Sequence, residues 1–125
     1  MASLEITAEN FNDVLEKNPI VFLDFWAAWC GPCRNFAPTY EAASEANPDI
    51  VFGKIDTEAQ QELAATFQIR SIPTIAVIRE GIMVFRESGA LPASALNQVI
   101  EGVRGLDMEQ VRAEIAAQQA GQEQA

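Results

Sequence analysis

No histidine occurs in this chain. The side chain that most often serves as general base and metal ligand is therefore missing, and any acid–base or metal chemistry must be built from other groups. Cysteine is nearly as scarce: there are two, Cys30 and Cys33. Basic residues number 8 against 18 acidic ones, for a net charge of −10. Such a chain repels phosphate backbones, and Arg70, Arg79, Arg86, Arg104 and Arg112 make no stripe, so no nucleic-acid partner is expected. The acidity is read as a solubility device rather than as an acidic-tail function. No apolar run approaches the ~20 residues of a membrane span, so no membrane partner is expected either. The opening "MASLEITAEN" has neither the basic start nor the apolar stretch of a secretory signal, and the expectation is a cytoplasmic protein.

What is present is ordinary globular material. The 125 residues are 49% hydrophobic and 21% charged, which suits one domain with its own core. "ITAENFNDVLEKN" predicts a helix capped by Thr7, with Phe11, Val14 and Leu15 at helical spacing and Pro19 closing the segment. Ile20–Trp26, "IVFLDFW", is too short for a core helix and reads as a strand buried on both faces. "CRNFAPTYEAASEA" predicts a helix from the second cysteine, bent at Pro38. A second strand is expected over Ile50–Asp56, a helix over "AQQELAATF" and a third strand over Thr74–Arg79. Glu80-Gly81 predicts a tight hairpin into "IMVFRES", and Pro92–Arg104 a last core helix. The order β-α-β-α-β-β-α implies an α/β fold, a mixed sheet with helices on both faces. Gly105 divides a domain at 1–105 from an extension at 106–125. In the extension, Asp107 and Gln110 have capping-box spacing, Met108, Val111 and Ile115 form a thin apolar stripe, and "AGQEQA" reads as a flexible tail.

The cysteines lie in "WAAWCGPCRNFAP", Trp26–Pro38. Three readings compete. Structural zinc wants four ligands, and this pair supplies two. A structural disulfide has workable geometry at this spacing, but its ring is small. Chain entropy gives roughly 2 kcal/mol for four residues against about 3 for fifteen. A reducing compartment would also open it. Redox catalysis fits the surroundings better. Cys30 follows a buried strand and precedes a helix, which puts its sulfur at the sheet's C-terminal edge, beside unpaired N–H groups that favour a thiolate. Cys30 is expected to attack, and the more shielded Cys33 to resolve. Gly31 lets a substrate backbone come close, and Pro32 stiffens the ring.

"DFWAAWCGPC", "SIPT" and "SGAL" resemble thioredoxin at nearly every position, and the resemblance runs from about Ile6 to Arg104. It implies the thioredoxin fold and a protein-disulfide reductase acting by dithiol–disulfide exchange on disulfide-containing proteins. No cofactor would be bound. Electrons would come from NADPH through a flavin-containing thioredoxin reductase. A monomer is expected.

By the same resemblance Cys30 is the nucleophile and Cys33 the resolving thiol. Asp24 is the buried carboxylate that takes the Cys33 proton, and Lys54 its partner on the next strand. Trp29 is the exposed indole, Pro73 after Ile72 the cis-proline facing the disulfide, and Gly89 and Ala90 part of the docking rim with Gly31 and Pro32. An interrupting Asp in an apolar strand also has a simple structural reading, a buried carboxylate satisfied by Lys54. Arg34, Asn35, Ala28 and Ser88 depart from the usual pattern, which bears on partner preference. Two rival functions stay open. One is an oxidase or isomerase, against which Pro32, standing where such enzymes carry histidine, argues. The other is a chaperone or interaction module that uses the extension.

Overall fold

Phe22, Leu23 and Phe25 have no exposed surface, and that is why Ile20–Trp26 (β2) forms the middle strand of the sheet. The computed structural model describes residues 2–124, and side chains as far as Gly121. β2 lies parallel to Val51–Asp56 (β3) and antiparallel to Thr74–Arg79 (β4). Leu4–Glu5 (β1) adds a parallel edge to β3, and Ile82–Ser88 (β5) an antiparallel edge to β4. The five-stranded order is β1-β3-β2-β4-β5.

Alternation along β2 divides the core in two. Val21, Leu23 and Phe25 face Phe11–Lys17 (α1) and Gln61–Thr66 (α3), packing with Ile6, Ile55 and Ile78. Phe22 faces the other way, toward Gly31–Ala46 (α2) and Ala93–Arg104 (α4), in a cluster with Phe36, Tyr40, Phe52, Leu96 and Ile100. The stacked Phe22 and Phe52 rings, 4.9 Å apart, and the Tyr40 ring edge-on to Phe52 make the dense centre of this layer. Asp24 shares the Phe22 face by the same alternation, so its carboxyl points toward the layer that carries α2. Gly53 interrupts β3 for a steric reason: a Cβ there would lie 2.5 Å from the Ile6 side chain.

β2, β4 and β5 have the bounds their apolar runs predict, and Glu80 and Gly81 take the positive φ values, 53° and 80°, that a tight hairpin needs. Several boundaries differ from expectation. β1 has no counterpart in the predicted elements, because two residues carry no periodicity. α1 begins at Phe11 rather than after Thr7. The Thr7 N–H donates to Asn10 Oδ1 at 2.7 Å, holding Thr7–Asn10 in a turn ahead of the helix. α2 begins at Gly31, two residues before the expected start at Cys33, with Cys30 itself as the cap.

The extension is one helix, Met108–Gln124 (α5), and it runs through most of the stretch expected as a tail; Ala125 lies outside the described residues. Asp107 Oδ1 accepts from the N–H groups of Glu109 and Gln110, but the Gln110 side chain turns to Glu114, so only half of the expected capping box forms. Met108 is buried, Val111 and Ile115 are half-buried, and residues 116–121 are exposed.

Candidate active site

Both cysteines sit where β2 hands the chain to α2. β2 ends at Trp26, buried Ala27 anchors the loop, and Cys30 takes the extended conformation of a helix cap, φ −86° and ψ 111°. Its Sγ accepts the Cys33 backbone N–H at 3.2 Å, as a serine or aspartate oxygen would at an N-cap. Pro32 occupies the first turn, where its missing N–H leaves no intrahelical bond unmade. Cys30 and Cys33 are joined as a disulfide with Cα atoms 5.2 Å apart. Cys30 is 4% exposed and Cys33 3%, so in this oxidised form accessibility does not distinguish attacker from resolver. The two differ in polar surroundings: Cys30 Sγ receives the helix-end N–H and lies 3.8 Å from the Ile72 carbonyl oxygen.

The Ile72–Pro73 peptide is cis, Pro73 is buried, and Ile72 packs against the cluster of Ala27, Cys30 and Cys33. The Pro73 carbonyl accepts the Gly89 N–H at 2.7 Å, which holds the Gly89–Ala90 turn beside the Ile72–Pro73 loop. Gly31 faces open space; a Cβ there would meet nothing within 4 Å. Trp29 is 67% exposed, and its indole Nε1–H donates to Glu58 Oε1 at 2.6 Å. Glu58 is a neighbour that sequence reasoning misses. It stands 29 residues away, on the turn after β3 that Asp56 holds by accepting the Glu58 N–H, and no local pattern marks it. Arg34 donates to the Ala28 carbonyl at 2.8 Å and so closes the loop from the helix side.

Asp24 is 1% exposed, and among the described residues no group hydrogen-bonds to either carboxylate oxygen. Burial pushes its pKa up from 3.8 to about 7, and the positive charge of Lys54 opposes that rise. Asp24 and Lys54 are register partners on β2 and β3, as expected of neighbours. They do not form the direct ion pair of the simple structural reading. Lys54 Nζ instead lies 4.8 Å from the centre of the Trp26 ring. Burial pushes the pKa of Tyr40 on α2 well up, and the nearby negative charge of Asp24 adds to that rise. By the alternation along β2 the carboxyl is on the face of the sheet that carries α2.

A capped, N–H-solvated sulfur beside a second sulfur and a proton-holding carboxyl can exchange disulfides without a metal or an organic cofactor. The comparisons agree with that chemistry. The thioredoxin family model matches residues 2–102. A thioredoxin relative from Streptomyces coelicolor is 56% identical over 119 residues, covering 95% of this chain and 89% of that one. A bifunctional thioredoxin reductase/thioredoxin of Mycobacterium leprae is 43% identical over 96 residues, which are 75% of this chain and 21% of that longer one. Among solved structures, a mutant thioredoxin from Halobacterium salinarum superposes with a TM-score of 0.77 at 32% identity, over 86% of this chain and 98% of the other. The chain belongs to the thioredoxin family, with the thioredoxin fold, and is a thiol–disulfide oxidoreductase that reduces disulfides in proteins.

Proposed function

We propose that Cys30 is the attacking thiol, Cys33 the resolving one and Asp24 the proton acceptor. The observation that carries this assignment is the N-cap position of Cys30. A thiolate there accepts an N–H that already points at it and sits at the positive end of a 16-residue helix. The Cys30 thiolate attacks one sulfur of a substrate disulfide, expelling the other as thiolate and leaving a mixed disulfide. Cys33 then gives its proton, through water, to the Asp24 carboxylate and attacks Cys30 Sγ. The second substrate thiol leaves, and the enzyme holds the Cys30–Cys33 disulfide. Two electrons have passed to the substrate. Lys54 tunes Asp24 through space by favouring its charged form.

Trp29, Gly31, Pro32, Ile72, Pro73, Gly89 and Ala90 form the rim on which a protein substrate docks. Support comes from the exposed indole, the open space over Gly31 and the bond that joins the Pro73 and Gly89 loops. Re-reduction by a thioredoxin reductase, with NADPH as the electron source, is supported by the Mycobacterium leprae relative that names both activities in one chain. The protein works as a cytoplasmic monomer without a bound cofactor; among the described residues no helix is long and apolar enough to cross a membrane. Residues 1–105 form the catalytic domain and 106–125 an appended segment outside the chemistry.

Trapping tests the assignment. Cys33→Ser should accumulate a stable mixed disulfide through Cys30 with a reducible protein, at close to one substrate per enzyme. Cys30→Ser should trap none. Adducts carried by Cys33 in the second variant would reverse the roles.

A further inference from the structure

Beside the rim, a groove of about 340 Å³ starts at Pro32 and runs between α2 and the Ala90–Pro92 segment, with Phe36 as its floor and Asn35 and Thr39 on its wall. At Thr39 it meets a second groove of about 420 Å³ along the α2–α4 seam, floored by Leu96 and kept open by small residues, Ala42, Ala46 and Ala93. Two features set this lane apart. It is continuous with the ring that holds the reactive sulfurs, because Pro32 lies between Cys30 and Cys33. And none of its lining side chains is charged, in a chain where 21% of residues carry charge. Its polar groups are also uncommitted. Arg34 and Tyr40 on the same helix donate to the Ala28 and Gly53 carbonyls, whereas Asn35 and Thr39 make no side-chain hydrogen bond within the described residues.

We propose that this lane seats the uncharged polypeptide flanking the reactive cysteine of a protein substrate, and that Asn35 and Thr39 select for it by bonding substrate peptide groups. The proposal rests on the reading of Cys30 as attacker. From Pro32 to Thr39 is about 10 Å along the helix, and from Pro32 to Ala46 about 21 Å. An extended chain covers these lengths with roughly three and six residues. A substrate joined through sulfur to Cys30 thus lays its near flank over Asn35 and Phe36 and its farther flank along the alanines. Burying an apolar side chain over Phe36 favours the complex. A carboxylate or ammonium there would lose water and meet no counter-charge. The lane therefore discriminates by excluding charge.

The test uses two eight-residue peptides whose single cysteine is capped as a mixed disulfide with thionitrobenzoate. One has leucine and serine on both flanks, the other glutamate. Thionitrobenzoate release is read at pH 8, and the small disulfide dithiobis(nitrobenzoate) serves as a flank-free reference. Wild type should prefer the uncharged peptide by roughly tenfold in kcat/KM, the size expected for one buried apolar contact. Ala42→Glu, an exposed helix position that tolerates the change, and Thr39→Trp, which plugs the junction, should each cut the uncharged peptide's rate relative to the reference by about fivefold or more.

Equal use of both peptides by wild type, or unchanged ratios in both variants, overturns the proposal while leaving disulfide exchange intact. A wild type inert toward all three disulfides would overturn the attacker assignment and this inference with it. If Ala42→Glu instead dissolves a concentration-dependent dimer and leaves peptide selectivity untouched, the groove belongs to a second copy and the proposal fails.

Discussion

The two ends of the central sheet treat their polar groups in opposite ways. Around the β4–β5 turn, charges are tied to partners. Arg79, pairing with Ile20 at the start of β2, donates to the carbonyls of Val103 and Leu106 at 2.6 and 2.9 Å, tying off the end of α4 and the approach to α5. Arg112 reaches from α5 to Glu80 at 2.8 Å, and Arg104 grips Asp49. Toward the other end, two residues before Trp26, the Asp24 carboxylate is buried with no hydrogen-bond partner among the described residues. The two aspartates show the contrast directly: bonding to Arg104 lowers the pKa of Asp49, and burial raises that of Asp24 to about 7. One end is arranged for stability. The other keeps a group under-satisfied, and that group can move a proton near neutrality.

Removing the bare carboxylate gives the largest expected effect. The unfolded chain releases this proton near 3.8, whereas the folded chain holds it to about 7. Stability is therefore unaffected by Asp24 below about pH 4, falls as pH rises from there to about 7, and stays low above that. The full cost is on the order of 4 kcal/mol. Asp24→Asn should recover about half of it at about pH 8, since burying a polar amide still costs desolvation, and none near pH 3.5. Urea unfolding at the two pH values checks this, and an equal gain at both would contradict the burial argument. The same variant should lose the rise in substrate-release rate through pH 7 that wild type shows.

At the tied end the sign reverses. Arg79→Ala frees carbonyls that its partly buried guanidinium satisfies, and should destabilise by about 2 kcal/mol with kcat/KM unchanged. Lysine should restore little, because an ammonium lacks the fork. The smallest effect belongs to α5. Ending the chain after Gly105 removes the burial of Met108 and should cost about 1–2 kcal/mol, read as a small drop in Tm. Disulfide reduction should continue at the wild-type rate. A loss of turnover beyond about twofold would place α5 within the working site and erase the division drawn at Gly105.

How much of the fold and site is legible in the sequence follows from where each residue's partners lie. Strands buried on both faces announce themselves as unbroken apolar runs, so β2 and β4 can be bounded to the residue, and the Glu80-Gly81 turn fixes where the more exposed edge strand β5 begins. Asp24 is conspicuous as the lone carboxyl in such a run. The start of α2 is displaced by two residues because cysteine is not among the usual capping residues, yet its sulfur caps here. Glu58 meets Trp29 only through the turn after β3, a contact that spacing does not encode. Register puts Lys54 beside Asp24, but the lysine head goes over Trp26, a choice made by side-chain packing. The groove along α2 likewise depends on alanines whose smallness matters only once α4 lies opposite them.

The chemistry turns on the difference between two sulfurs three residues apart. Reduced protein treated with iodoacetamide from about pH 5 to 10, followed by peptide mapping, measures it directly. Cys30 should be labelled first, with half-maximal rate well below the ordinary thiol value of about 8.5, and Cys33 only slowly. Faster labelling of Cys33, or a Cys30 that titrates like a free thiol, would contradict the helix-capped nucleophile.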